Sequence, residues 1–341
     1  MSFQPRRHRA VVASLAAGLL LAIVVPAAPA IGITLPGCRV RNVDRATGFT
    51  SLQAAVSDAA TVSGDHLTVK GLCDGNTVIA TDLTIRGIRP PGSITASLYG
   101  TGSGSVITIA PGTRVSIASL TISGGDAADG GGIYNEGILT LTDVRVYDNH
   151  ATAGGGGIST HGKLTLLGRT SIDHNSADVA GGGIDIVSED RASVLVMKGH
   201  SSVHHDTAGG WGGGISAYAT SAFATTVTLA GRASLHHDSA PAGGAFIGDA
   251  KLTMRDASRI HDSTVTAATG GIVDVERFVD ATSVGSLTMR DGARIDANTA
   301  GAEAAAVVAR TGCGAIPVLV GVASRVTGNT PANISTMADC P

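Results

Sequence analysis

The chain has 341 residues, of which 47 are glycine, about twice the usual share. It contains only one Trp, four Tyr and five Phe, and its formal net charge is −3 at pH 7. Binding of nucleic acid needs a basic face or a row of aromatic side chains on which bases stack, so no nucleic-acid partner is expected. The glycine content indicates repeated tight turns or close backbone contacts instead.

The N-terminal 30 residues have the three parts of a secretory signal peptide. Arg6, Arg7 and Arg9 precede an apolar run from Ala10 to Val25, and Ala28–Ala30 forms a small-residue cleavage site. The apolar run is shorter than the roughly 20 residues that cross a bilayer. The sequence therefore predicts cleavage after residue 30 and a secreted, extracellular mature chain without a membrane span.

Four cysteines follow the predicted cleavage site, and an even number in an exported protein indicates disulfide bonds. Cys38 and Cys73 lie near the start, whereas Cys313 and Cys340 lie near the end. Three pairings are conceivable, and proximity in sequence favours Cys38–Cys73 and Cys313–Cys340. No Cys-x-x-Cys spacing is present, so a cysteine metal site is not expected.

From residue 131 onward, the chain repeats three short apolar segments in every roughly 25–35 residues. The first is a glycine pair followed by an apolar residue, and the second is a short alternating strand. The third is an apolar residue followed three positions later by Asn, Asp or Ser. Three short strands with turn residues between them predict one coil of a solenoid, with equivalent strands about 4.8 Å apart in successive coils.

The residues of these segments can be read directly from the sequence. The first segments place Ile133, Ile158, Ile184, Ile215, Ala245 and Ile272 inward, with Val307 in the last coil. The second segments are 139–141, 164–166, 194–196, 227–229, 252–254, 287–289 and 318–320. The third segments begin at Val146, Ile172, Val203, Leu235, Ile260, Ile295 and Val326, and their polar partners are Asn149, Asn175, Asp206, Asp238, Ser263, Asn298 and Asn329. We expect these polar side chains to satisfy backbone groups at a bend and to bond one another between coils.

The mature chain is predicted to be one domain with a helical cap. Residues 49–56 predict a short amphipathic helix, with Thr50 and Gln53 spaced as a capping box. Such a helix would cover the open end of the solenoid core. The expected parts are a signal peptide (1–30) and a single β-helix domain (31–341), divided into a cap (31–65), coils (66–330) and a C-terminal tail (331–341).

The Gly-Gly-Ile rhythm with a downstream Asn resembles the repeats of bacterial polymorphic outer-membrane proteins and related adhesin-type proteins. Over roughly residues 38–330, the chain also resembles the parallel β-helices of the pectin-lyase-like superfamily. The resemblance implies an all-β fold, a right-handed parallel β-helix solenoid. We expect a monomer that presents an interaction surface to an extracellular polysaccharide or a cell-surface protein.

Many members of that superfamily cleave acidic polysaccharides, so a divergent polysaccharide lyase or hydrolase is the alternative function. The resemblance implies that a hydrolase would carry an Asn-Thr-Asp segment, an Asp-Asp pair and a Gly-His-Gly segment. None of these occurs, and Thr160-His161-Gly162 lacks the neighbouring carboxylates that acid/base hydrolysis needs. The interpretation is therefore a non-catalytic protein, with no catalytic residue and no cofactor assigned.

Insertions concentrate at one corner of the coil, between the first and second segments. The long ones are 185–193, 216–226, 273–286 and 308–317. Insertions on one face of a solenoid commonly build its binding face, although loops also tolerate insertion without any function. The candidate ligand-binding residues on this edge are Glu189, Asp190, Arg191, Tyr218, Phe223, Asp274, Glu276, Arg277, Phe278 and Asp280.

Histidine and aspartate occupy outward positions just after the third segment in several adjacent coils. His204, His236 and His261 follow the inward residue directly, and imidazoles about 4.8 Å apart could share a zinc or copper ion. The competing interpretation is that solvent-facing positions accept any polar residue and that a duplicated repeat copied its histidines. Both interpretations remain open from the sequence.

Overall fold

The computed structural model describes residues 37–89, 95–219, 223–267, 271–275, 285–300, 305–311, 318–320, 324–330 and 332–338. Within these residues the fold is all-β, with four sheets of mainly parallel strands and one short α-helix, Leu52–Ser57. The predicted signal peptide, Cys313 and Cys340 lie outside the described residues.

Successive repeats contribute strands to four sheets, which we number I to IV. Sheet I contains Arg39–Asn42, Thr47–Phe49, His66–Lys70, Leu83–Gly87, Arg114–Ala118, Ile138–Thr142, Lys163–Leu167, Val194–Met197, Thr226–Leu229, Lys251–Met254, Ser286–Met289 and Val318–Val320. Sheet II contains Leu72–Asp74, Ser97–Tyr99, Thr121–Ser123, Arg145–Tyr147, Ser171–Asp173, Ser202–His204, Ser234–His236, Arg259–His261, Arg294–Asp296 and Arg325–Thr327.

The other two sheets flank the glycine segments. Sheet III contains Asp126–Asp129, His150–Gly154, Ser176–Ala177, Thr207–Ala208, Ser239–Ala240 and Thr264–Val265. Sheet IV contains Thr77–Ile79, Ile107–Ile109, Ile133–Asn135, Ile158–Thr160, Ile184–Ser188, Ile215–Ala219, Phe246–Gly248, Val273–Val275, Ala305–Thr311 and Ala332–Ala338. Because each strand pairs with its equivalent about one repeat away, the arrangement is compatible with a parallel β-helix.

The apolar core consists of ladders of equivalent residues. The third-segment ladder pairs Val146, Ile172, Val203, Leu235, Ile260, Ile295 and Val326 in the predicted register. The first-segment ladder pairs Ile215 with Phe246 and Phe246 with Val273, so its register is one residue later than predicted, although Ala245 and Ile272 are also buried in the core. The reason is that the glycine motif has three positions, and Ala245 and Ile272 occupy the third.

The second-segment ladder also differs from the prediction at one coil. Leu164 pairs with Leu195, and Leu166 pairs with Met197, so the inward residues are Leu195 and Met197 rather than Val194 and Val196. The strand reads Val-Leu-Val-Met, and an uninterrupted apolar run does not show which alternate residues face inward. Burial of the longer Leu and Met side chains decides the register.

A continuous ladder of polar side chains follows sheet II, as predicted. Asn149 N donates to Asn175 Oδ1 (3.1 Å), Asn175 N to Asp206 Oδ1 (2.7 Å), and Asp206 N to Asp238 Oδ1 (3.0 Å). The ladder continues through Ser263 to Asn298 and Asn329. These side chains, all buried except the half-buried Asn329, therefore satisfy the backbone at the bend and tie neighbouring coils together.

The N-terminal helix is displaced from the prediction and has a different cap. It spans Leu52–Ser57, and its N-cap is Ser51, whose side chain accepts a hydrogen bond from Ala54 N (3.1 Å). Gln53 does not form the predicted box with Thr50; its Oε1 accepts from Val78 N (2.8 Å) in sheet IV. Thr50 and Ser51 both carry a hydroxyl that can cap a helix. The helix that begins at Leu52 buries Leu52 and Ala55, and the residue before it, Ser51, is therefore the N-cap.

The predicted Cys38–Cys73 disulfide is present, and it fastens the segment before Arg39–Asn42 to sheet II. We expect the Cys38→Ala variant to lose about 3 kcal/mol of unfolding free energy, because the bond closes a loop with a sequence separation of 35 in the unfolded chain. Urea unfolding measures the loss. The matched control is the Cys38→Ala/Cys73→Ala variant. The cross-link is absent from both variants, so any further loss in the double variant measures the packing of the buried Cys73 side chain. An unchanged midpoint in the single variant would contradict the expectation.

Candidate functional site

The structure divides the predicted ligand edge into residues that share a cleft and residues that do not. Glu189 and Tyr218 line the same cleft. Asp190 is exposed outside it, and Arg191 Nη1 donates to the backbone oxygen of Glu136 (3.0 Å). Asp274 is fully buried in Val273–Val275 rather than in a loop.

Within the described part of the chain, the other predicted edge residues do not line the cleft. Phe223 is half-buried and is not among the cleft residues. Glu276, Arg277, Phe278 and Asp280 lie outside the described residues. The candidate site is therefore narrower than the edge predicted from the sequence.

The cleft has a volume of about 420 Å³ and lies beside the outer side of sheet IV. Its floor comes from three consecutive coils, at Ile184–Ser188, Ile215–Ala219 and Phe246–Gly248. Its other wall is the segment that precedes the glycines, where Ala180 bridges to Trp211. The lining residues are Ala180, Asp185, Val187, Glu189, Trp211, Ser216, Ala217, Tyr218, Ile247 and Gly248. Ligand pockets commonly have this size and this mixture of apolar walls with a few polar groups.

Two aromatic rings dominate the exposed surface of the cleft. Trp211 is 52% exposed and Tyr218 is 41% exposed. Of the described residues, the only other aromatic side chain of comparable exposure is Tyr99, at 52%, in sheet II. Exposed Trp and Tyr rings offer an apolar face together with a hydrogen-bonding group, which suits ligand contact.

Asp185 is the buried acid of the cleft. Alternation along Ile184-Asp185-Ile186 directs its side chain to the outer side of sheet IV, where the wall segment covers it. Burial raises the pKa of this carboxyl to about 7, opposed by a hydrogen bond from Ser216 and reinforced by the charge of Asp129. The Asp185 carboxyl thus changes charge near neutral pH.

Trp211, Asp185 and Ser216 were not predicted from the sequence. Asp185 and Ser216 are paired neighbours in the register of sheet IV, and Trp211 belongs to the connection of constant length between the third and first segments. The sequence feature that could have identified Trp211 is that it is the single Trp of the chain and lies between two glycine runs. A large side chain at a position surrounded by glycine indicates a role at the surface.

A second depression, of about 550 Å³, lies earlier along the same side of the molecule. It is lined by Asp126, Asp129 and Tyr134 together with small residues. Tyr134 pairs with Ser159, and Ser159 pairs with Asp185, so the two depressions lie two coils apart in the same outward column. This spacing corresponds to about 10 Å.

A separate cluster of imidazoles follows sheet II, and we call its six members the histidine face: His174, His204, His205, His236, His237 and His261. The rings form two stacks, with centroids of 4.7 Å for His204–His236, 4.9 Å for His236–His261, 5.0 Å for His174–His205 and 4.7 Å for His205–His237. Neighbouring rings from the two stacks meet edge to face, for example His204 against His205.

The predicted trio of metal ligands is only partly brought together. His204, His205 and His236 have ligand atoms that all lie within 4.8 Å of one another. His261 instead places Nδ1 at 2.6 Å from Asp262 Oδ2. Burial and repulsion between neighbouring imidazoles lower the pKa of His204 and His205, and lower that of His236 to about 3. These three rings are therefore neutral at pH 7.

The chain was compared with protein families, curated proteins and solved structures, and no match was found in any of the three. Within the described residues, the only helix is far too short to cross a bilayer.

Proposed function

We propose that this protein is a secreted right-handed parallel β-helix that binds a glycan beside sheet IV without cleaving it. The single observation that carries the proposal is the position of Trp211 and Tyr218. Two of the three strongly exposed aromatic side chains among the described residues line one cleft that also contains hydrogen-bonding groups.

The chemistry of the cleft fits a sugar ring. A pyranose has faces of C–H groups, which pack on aromatic rings, and hydroxyls at its rim, which need hydrogen-bond partners. Trp211 and Tyr218 provide the first kind of contact, and Ser216 and Asp185 provide the second.

The charges in the cleft restrict the class of glycan. Asp185 and Glu189 both line it, and no lysine or arginine among the described residues does. Ionised carboxylates repel the carboxylates of a uronic-acid polymer. We therefore expect a neutral or amino-sugar glycan, and the second depression two coils away supports an extended chain over a single sugar.

Secretion and the capped solenoid belong to the same proposal. The N-terminal signal sequence and the Cys38–Cys73 disulfide both support an extracellular protein. The helix Leu52–Ser57 buries Leu52 and Ala55 at the first coil, as a cap over the open core would. The pectin-lyase-like resemblance remains part of this proposal.

One observation favours the second candidate function, a glycoside hydrolase. The pKa of Asp185, raised to about 7 by burial, leaves much of this acid protonated at neutral pH, as a group that protonates a glycosidic oxygen must be. Glu189 supplies another carboxyl in the same cleft. Binding and turnover must therefore be measured separately.

A glycan array with residues 31–341 tests the proposal. We expect wild-type protein to bind a neutral or amino-sugar glycan, and Trp211→Ala to weaken that binding by at least tenfold, because aromatic anchors dominate such contacts. The matched control is Tyr99→Ala, which removes an equally exposed ring from sheet II and should leave binding unchanged. Failure of the wild type to bind any glycan, or equal binding by Trp211→Ala, would overturn the proposal.

Reducing-sugar release from the glycan that binds separates the two candidates. Release by the wild type and not by Asp185→Asn would establish the hydrolase. Binding with no release by either protein would establish the non-catalytic function.

A further inference from the structure

We propose that the histidine face binds a divalent transition-metal ion of the zinc, nickel or copper group, with His204, His205 and His236 as ligands. The site uses no residue of the glycan cleft, so the two proposals stand or fall separately. Imidazole nitrogen is a preferred ligand of these ions.

The backbone brings two consecutive side chains together. In a continuing strand, the side chains of His204 and His205 would point to opposite faces. The strand Ser202–His204 ends here, and His205 adopts a left-handed conformation, with φ of 58°. As a result His204 Nδ1 and His205 Nδ1 are 2.8 Å apart.

The next coil supplies the third ligand. His236 pairs with His204 in the register of sheet II, and their rings are stacked with centroids 4.7 Å apart. Ligand atoms of three imidazoles from two coils therefore lie within 4.8 Å of one another. Tetrahedral zinc, with Zn–N distances of about 2.0–2.1 Å, needs ligand nitrogens about 3.3 Å apart. The Nδ1 atoms of His204 and His205 are 2.8 Å apart, and the ligand atoms of all three histidines lie within 4.8 Å of one another, so the required spacing falls within the observed range.

A hydrogen-bond relay behind His204 sets its tautomer. Ser171 Oγ donates to Asp173 Oδ1 (2.7 Å), so its contact with His204 Nε2 (3.0 Å) uses the hydroxyl oxygen as an acceptor. His204 therefore carries its proton on Nε2 and presents the Nδ1 lone pair to His205. Partners of this kind, behind a ligating imidazole, fix the ring and its free nitrogen in metal sites.

Asp173 itself is held in place for this role. Arg145 Nε donates to Asp173 Oδ1 (2.9 Å), and the Asp173 side chain is almost completely buried. The relay Arg145, Asp173, Ser171 and His204 thus links a buried carboxylate to the half-buried ligand His204.

In the metal-free protein, His205 Nδ1–H donates to the His204 Nδ1 lone pair. Binding of the ion replaces this shared proton: His205 changes to the Nε2–H tautomer, and the Nδ1 lone pairs of His204 and His205 bind the ion together with the lone pair on the unprotonated ring nitrogen of His236. No net proton is released, and no other reactant is required. The pair His236 and His237 repeats the arrangement, with Nδ1 atoms 2.9 Å apart.

The test uses untagged protein, stripped with EDTA, and titrates it with Zn²⁺, Ni²⁺ or Cu²⁺ alone in a calorimeter. We expect a Kd of about 10 µM or tighter for at least one ion. The His204→Ala/His205→Ala variant should bind at least 100-fold more weakly, and the matched control His200→Ala, an exposed histidine outside the face, should bind as the wild type does. Nitrogen hyperfine structure in the Cu²⁺ spectrum should indicate three imidazoles.

The Ser171→Ala variant tests whether the relay contributes to metal affinity in addition to the number of nearby histidines. It removes no ligand, and we expect about tenfold weaker binding because His204 loses its fixed tautomer. Circular dichroism checks that each variant folds. Binding weaker than 1 mM by the wild type, or equal binding by the double histidine variant, would overturn the site, and equal binding by Ser171→Ala would overturn the role of the relay.

Discussion

Replacing Asp206 and Asp238 by asparagine is expected to stabilise the protein by about 4 kcal/mol at pH 7 to 8, because each position holds a buried oxygen without a partner. In the ladder after sheet II, Asn175 Nδ2 donates to Val146 O (3.1 Å), and Asn298 Nδ2 donates to Ile260 O (3.2 Å). At Asp206 and Asp238, the corresponding atom is Oδ2, which is buried and has no hydrogen-bond partner. An amide at these positions restores a donor where the carboxylate offers only an acceptor.

The advantage of the variant should depend on pH. Burial raises the pKa of both carboxyls well above their usual range, and the charge of Asp206 adds to the shift at Asp238. Because the folded pKa exceeds the unfolded value of about 3.9, the wild type keeps its full stability below that pH and loses it as the pH rises toward the folded pKa. The variant should therefore gain nothing near pH 3.5 and most above neutrality.

Urea unfolding across pH 3.5 to 8, with EDTA present to exclude bound metal, measures this difference. The matched control is Asn175→Asp, which adds a third carboxylate beside Asp206 and should destabilise the protein by a similar amount per site at pH 7. Equal stability of wild type and double variant at pH 8 would show that the two carboxyls already have satisfactory partners.

The Gly156→Ala variant is expected to lose more than about 4 kcal/mol of unfolding free energy, which exceeds the usual effect of a single substitution. A Cβ at Gly156 would lie 2.2 Å from Ser176 O and 2.5 Å from Gly182 O. Both are backbone atoms of the next coil, so relief requires the coils to separate, and that would break the hydrogen bonds between them.

Thermal and urea unfolding of the purified variant test this expectation. The matched control is Gly48→Ala, in the strand Thr47–Phe49, where the nearest atom to an added Cβ is Val40 O at 4.0 Å. The control should change stability by less than about 1 kcal/mol. A Gly156→Ala protein as stable as the control would mean that the coils can accommodate a methyl group here.

The sequence predicted the coils best where a single apolar residue stands between polar neighbours. Ile172, in Ser-Ile-Asp, and Ile260, in Arg-Ile-His, could face inward in only one way, and the structure confirms both. Register could not be predicted where apolar residues are adjacent, as at Ala245 and Phe246, because either could fill the core. Packing against the neighbouring coil, which is absent from the sequence pattern, settles such cases.

The candidate cleft was only half visible for a related reason. Glu189 and Tyr218 were predicted because they lie in insertions of variable length. Trp211 lies in a connection whose length hardly changes. Asp185 is the first residue of the insertion 185–193, but it follows the inward Ile184 at an ordinary outward position of a strand. Only the stacking of three coils brings these four side chains to one place.

The repeat also determines how such a protein changes over generations. Asp206 and Asp238 are 32 residues apart and lie in successive coils, each preceded by two histidines. Because a coil contacts mainly its two neighbours, copying one such stretch of gene adds a whole layer with its own bonds and leaves the rest of the molecule in place. Each copy of this layer lengthens the row of imidazoles by one pair. The number of paired imidazoles is therefore set by the number of such layers, and it can rise or fall by recombination without any new side chain having to arise by point mutation.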